Sequence, residues 1–301
     1  MRSRSGALES ILPASLLVLL AISIGIWLVW DGLAVPLVTF GAYPDYWEHT
    51  AVLTEWIRNF SAPTNPHVVS SDLSSRYMPY FWVLTQLGRL LDLDAVQLMS
   101  ISAVVNYCLI ILGVQLFFRS YFRDAWAPLI GFIAIFMFWG IGWNWANLYQ
   151  LRSFFYIGGY PSSFVFGLSL ISIWVTLRLL RNEGSPIVLG ASLAVLASLM
   201  LLCHPLTGVF GIVSCALLSL TEGRVAALLR LTALGALLAG SLLPEFWPYF
   251  SVWKLMLGQY GTGIEQWGSV AGLNAVERFT SGEWQHLFYN PAVMVNMLGP
   301  A

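Results

Sequence analysis

Asp45, Glu48 and His49 stand at i, i+3 and i+4 in the stretch 43–50, YPDYWEHT. On a helix that spacing puts all three side chains on one side. They are the densest ionisable cluster in the N-terminal half of a very apolar chain. Two carboxylates and an imidazole within one turn are suited to acid–base work or to holding a cation. Arg152 is a second candidate, because it lies between two charge-free stretches, 125–151 and 153–177. An ionisable group so flanked in a membrane protein marks a functional site by default. Each has a structural alternative. Asp45 and Glu48 also fit a helix capping box, with Asp45 as N-cap and Glu48 three residues on. Arg152 also fits an interfacial arginine reaching lipid headgroups.

The elements that must position these groups follow from composition. Of 301 residues, 58% are hydrophobic and only 10% charged, with net charge −1 and mean hydropathy +0.74. Soluble domains carry about 25% charged residues. The chain therefore reads as a polytopic, all-α transmembrane helix bundle, a single domain over 1–301. No basic tract points to nucleic acid. Cys108, Cys203 and Cys215 lie scattered in apolar runs without metal-ligand spacing and read as core residues.

Apolar runs near the ~20 residues that cross a bilayer predict spans over 11–30, 95–118, 125–145, 160–177, 186–203, 206–221 and 225–244. A partial span follows over 288–301, giving about seven or eight in all. The first span ends in tryptophans that suit an interfacial belt, and it reads as uncleaved. The chain reads as the N-terminal portion of a longer one. The interval 31–94 forms an outer loop carrying amphipathic surface helices. Within it, 77–91 holds too few uncharged residues between Arg76 and Arg89 to cross and reads as interfacial.

Arginine placement sets the orientation. With 77–91 on the surface, Arg2, Arg4, Arg119, Arg123, Arg178, Arg181 and Arg224 all face the cytoplasm, as the positive-inside rule requires. The N-terminus is then inside. The outward segments become 31–94, 146–159, the turn at His204 and Pro205, and 245–285. All four histidines (His49, His67, His204, His286) fall on that face.

An uncleaved first span, an outer loop opening with an acidic residue, a surface helix and the aromatic-proline segment Tyr77 to Trp82 form a plan. In this plan, and in the residues Asp45 to His49, the chain resembles the GT-C superfamily of membrane glycosyltransferases over about 1–250. That resemblance implies transfer of a sugar from a polyprenyl-phosphate carrier to a glycan, lipid or protein acceptor. It places the reaction on the extracytoplasmic face of a bacterial or archaeal cytoplasmic membrane. It assigns Asp45 as general base, with Glu48 and His49 as its catalytic neighbours. A paired acidic motif in the family would make Asp45 and Glu48 ligands of a divalent metal (Mg or Mn), although here the pair is three positions apart rather than two. Arg152, with Tyr149 beside it, His204 and Arg76 are candidate substrate-binding residues for the departing phosphate, which needs positive charge. Tyr46, Trp47, Trp247, Tyr249 and Trp253 are candidate sugar platforms or belt residues. His204 and Pro205 resemble a His-Pro found in bacterial members and equally fit a tight turn. The alternatives are a multi-pass transporter or lipid-linked-sugar flippase, or a non-catalytic membrane assembly subunit. The absence of an evident internal repeat weighs against the transporter.

Overall fold

A computed structural model describes residues 4–34, 44–67, 73–137, 154, 157–223 and 225–256. Among these the fold is all-helical, without strands. In chain order the helices are α1 (Arg4–Ala34), α2 (Pro44–Arg58), α3 (Pro79–Leu91), α4 (Ala95–Phe122) and α5 (Ala127–Met137). They continue with α6 (Pro161–Leu180), α7 (Pro186–Cys203), α8 (Pro205–Thr221), α9 (Ala227–Leu242) and the short α10 (Val252–Met256). Among the described residues four stretches are long and apolar enough to cross a membrane: 95–122, 161–180, 186–203 and 227–246. They mark a membrane protein. The apolar parts of α1, α5 and α8 are shorter, at 11–27, 127–137 and 205–221. Helices α4, α6, α7, α8 and α9 overlap the apolar runs 95–118, 160–177, 186–203, 206–221 and 225–244, while α1 extends beyond 11–30 at both ends and α5 covers only part of 125–145. The expected span over 288–301 lies outside the described residues, as do 138–150 and Arg224.

The helix starts have local causes. Proline opens α2, α3, α6, α7 and α8, where its missing N–H costs nothing and its fixed φ suits a first turn. The start of α4 carries a capping box: Asp94 accepts from the Gln97 N–H while the Gln97 side chain accepts from the Asp94 N–H. Gln97 is therefore part of the cap. The thirteen residues of α3 cover about 20 Å at 1.5 Å per residue, short of a ~30 Å hydrocarbon core.

Helix α6 is the hub. In it 72% of the span window is buried, against 22–44% in the other three. Its buried Ser169, Ser172 and Thr176 hydroxyls donate to the carbonyls four residues back, so their burial leaves no donor unpaired. It crosses α4 where Gly113 and Gly167 face each other. A Cβ on Gly113 would meet Leu170 Cβ at 2.7 Å, and one on Gly167 would meet Leu109 Cγ at 2.9 Å. Small residues at such a crossing let two backbones approach, the main source of helix affinity in lipid.

The two ends of the bundle differ. One end gathers α2, α3, the N-termini of α4 and α6, the α7–α8 turn and the end of α9. Trp247, beyond α9, donates through Nε1 to the Tyr77 carbonyl at 2.7 Å. The other end holds Arg119, Arg123, Arg178, Arg181 and Arg230. There Arg181 pairs with Glu222 at 3.2 Å and donates to the Ser120 carbonyl. Arg230 donates to four carbonyls over 219–223, closing the C-terminus of α8.

Replacing Gly113 or Gly167 by Val is expected to push α4 and α6 apart and lower stability by about 1–3 kcal/mol. Gly235→Ala, in α9 with open space around its Cβ, serves as the control and should be neutral or slightly stabilising. Thermal unfolding in one detergent distinguishes the three.

Candidate functional site

The site is built on α2. Its apolar face is formed by Tyr46, Thr50, Leu53 and Trp56, at the helical spacing that buries one stripe. Asp45 and Glu48 flank that stripe, and His49 lies within it. Pro44 is already helical and Asp45 belongs to the first turn. The capping-box geometry is replaced by an ion pair. Glu48 binds the guanidinium of Arg76, which also stands 3.8 Å from Asp45. Arg76 precedes α3, so this clasp fixes the loop after α2 to the start of α2. Burial lowers the Arg76 pKa while Asp45 and Tyr160 oppose that.

His49 projects inward. Its ring packs on Phe81 of α3, with centroids 5.1 Å apart, and edge-on against Tyr160 at 4.9 Å. The residue is 5% exposed, and Nδ1 has no hydrogen-bond partner among the described residues. Burial first, then the nearby His204 and His67, lowers its pKa to about 3. His204 sits in the α7–α8 turn and is the N-cap of α8. The Thr207 backbone N–H donates to its Nδ1 at 3.3 Å, with Thr207 Oγ1 2.9 Å away. An accepting Nδ1 places the ring proton on Nε2, leaving that atom as a donor. Burial, with Arg76 adding to it, lowers the His204 pKa to about 4.

These groups meet around one small cavity of ≈ 90 Å³, lined by Asp45, His49, Arg76, Tyr160, Pro161, Ser162 and His204. Tyr160 is the N-cap of α6 and Pro161 its first residue, so the positive end of that helix's dipole faces the cavity. A wider open groove between α6 and α7, lined by residues such as Ile171, Val175 and Val188, is apolar and carries no chemistry.

Four of the residues expected from sequence (Asp45, His49, Arg76 and His204) line the cavity, and Glu48 reaches it through Arg76. Arg152 and Tyr149 lie outside the described residues. Tyr160 and Ser162 were missed. The Gly158-Gly159-Tyr160-Pro161 punctuation inside an apolar stretch was the signal for them. The expected platform residues Trp247 and Tyr249 pack instead with Trp56 and Tyr77, while Trp47 and Trp253 remain exposed. The donor set does not fit a divalent metal. A guanidinium faces both carboxylates, and among the described residues no three His, Cys, Asp or Glu side chains converge on a metal position.

Both buried histidines bear on pH. The unfolded chain takes up their protons below about pH 6.5, whereas the folded values lie near 3 and 4. Their contribution is complete above the unfolded value and is lost as pH falls towards the folded ones, by roughly 2 kcal/mol per histidine at pH 5. The melting temperature is expected to drop between pH 7.5 and 5, and to drop less in His204→Gln. No family model, curated protein or solved structure matches this chain.

Proposed function

We propose that this chain is a membrane glycosyltransferase of the GT-C type. It moves a sugar from a polyprenyl-phosphate carrier to an acceptor hydroxyl on the extracytoplasmic face. The observation that carries this reading is convergence. Asp45, Arg76 and His204, far apart in sequence, line one cavity at one end of an apolar helical bundle. The five arginines Arg119, Arg123, Arg178, Arg181 and Arg230 at the other end favour a cytoplasmic location for that end, which turns the cavity outward. Seven or eight spans with an inside N-terminus complete the arrangement, with α2 and α3 lying at the surface.

In this reaction the acceptor oxygen attacks the anomeric carbon and the bond from that carbon to the phosphate oxygen breaks. The acceptor proton passes to Asp45, and the electron pair leaves with the phosphate. Asp45 suits the base, being a half-exposed carboxylate (side chain 47% accessible) at the cavity wall. Glu48 acts as a tether that aims Arg76. A guanidinium has five N–H donors, so two carboxylates leave some for a phosphate. His204 Nε2–H adds a neutral donor. The cavity has room for a phosphate-sized group but not for a sugar with its carrier, so the ring would lie at the mouth.

The test uses purified full-length chain in lipid nanodiscs. Polyprenyl phosphate is expected to bind saturably, and Arg76→Ala to weaken binding by roughly 10-fold or more, a charge-assisted contact being worth about 1.5–3 kcal/mol. Asp45→Asn should keep binding yet lose transfer from a panel of polyprenyl-phosphate sugars by about 10²-fold or more. Normal transfer by Asp45→Asn removes the base. Absence of binding by folded wild type removes the donor class.

A further inference from the structure

Asn106 lies three turns into α4, fully buried, where an amide is costly in an apolar span. Its Nδ2 donates to the Gly158 carbonyl at 2.8 Å, the Tyr160 carbonyl at 3.3 Å and Tyr80 Oη at 2.9 Å. Tyr80 in turn donates to the Gly159 carbonyl at 2.9 Å, which Ser102 Oγ also reaches at 3.2 Å. Three consecutive carbonyls of one non-helical turn are thus held by α3 and α4 together. The turn is pressed against α4 as well. A Cβ on Gly159 would meet the Met99 carbonyl oxygen at 2.6 Å.

That turn carries Tyr160 into the cavity wall. Tyr80 precedes Phe81, and Phe81 and Tyr160 are the two rings that enclose His49. Through Tyr80 and the turn, one amide therefore braces both rings. Among the described residues Asn106 Oδ1 is buried without a partner, and an unsatisfied buried acceptor costs about 1–3 kcal/mol. An apolar residue would spare that acceptor but leave the Gly158 and Tyr160 carbonyls without this donor.

We propose that Asn106 is a positioning residue for the candidate site: it sets the wall formed by Tyr160 and Phe81 and keeps His49 enclosed. This role belongs to the shape of the cavity and stands apart from the identity of the group the cavity takes.

The test is carbethoxylation of histidines by diethyl pyrocarbonate at neutral pH, mapped by mass spectrometry on full-length protein in nanodiscs. Exposed His67 is the internal reference. His49 is expected to be protected in wild type and to react severalfold faster relative to His67 in Asn106→Leu and in Tyr80→Phe. Thr176→Val, which removes a buried hydroxyl elsewhere in the bundle, should leave His49 protected. Tyr80→Phe alters the network by one oxygen, so it keeps the test open if Asn106→Leu does not fold. Continued protection of His49 in the folded variants overturns the proposal, and so does equal exposure of His49 by Thr176→Val. Neither result depends on a glycosyl donor, so failure here and failure of the transfer reaction are separable.

Discussion

A non-helical turn packed inside an apolar bundle must have every carbonyl satisfied by protein, because lipid offers no donor. The turn over 158–160 meets that constraint with donors from Tyr80, Ser102 and Asn106. Much else depends on it. It lets α6 begin abruptly at Pro161, it joins α3 to α4 through the Tyr80 hydroxyl, and it puts Tyr160 against His49. Helix α3 is thereby tied to the bundle by polar contacts, while the Arg76 clasp ties α2 to the loop before α3.

The helical plan was legible because each apolar run is bounded by proline, arginine or both, and such boundaries survive any tertiary arrangement. The shortness of α3 was legible from charge spacing at Arg76 and Arg89. The site was legible in part. Asp45, Glu48 and His49 stood out by type and spacing, but their roles did not. Glu48 looked like a catalytic neighbour of Asp45, a metal ligand or part of a helix cap and is the tether of Arg76, a partner 28 residues away that local pattern cannot disclose. Arg76 ranked low because the carboxylates it meets, Asp45 and Glu48, stand far from it in sequence. The placement of Tyr160 and Asn106 was not legible, because it depends on the α4–α6 crossing, which glycines at 113 and 167 permit without announcing it.

The distribution of ionisable groups bears on the proposed enzyme against the transporter alternative. Among the described residues, α7 and α8 contain no acidic or basic side chain. The basic ones of α4, α6 and α9 lie near the arginine-bearing end. Along α6 the Ser169, Ser172 and Thr176 hydroxyls turn back onto their own helix. Among the described residues no ladder of charges leads from one end to the other, an arrangement that coupling to an ion gradient would use. The proposed chemistry sits at one end, where a surface-acting enzyme would meet a lipid-borne substrate.

Charge at that end bears on how the proposed transfer would be driven. Asp45 and Glu48 against Arg76 leave the cavity a formal −1, and both histidines stay neutral near pH 7 because burial lowers their pKa values. The donor, a phosphodiester with one negative charge in the ground state, would meet the carboxylate of Asp45 and be held weakly. As the acceptor hydroxyl attacks, its proton neutralises that carboxylate while the departing phosphate gains negative charge. The guanidinium of Arg76, no longer shared with Asp45, is then directed at the phosphate. The cavity becomes more hospitable to the phosphate as the reaction advances, so binding strengthens in the transition state more than in the ground state. That difference is what accelerates a reaction, and it comes from one proton moving onto one residue beside a tethered arginine.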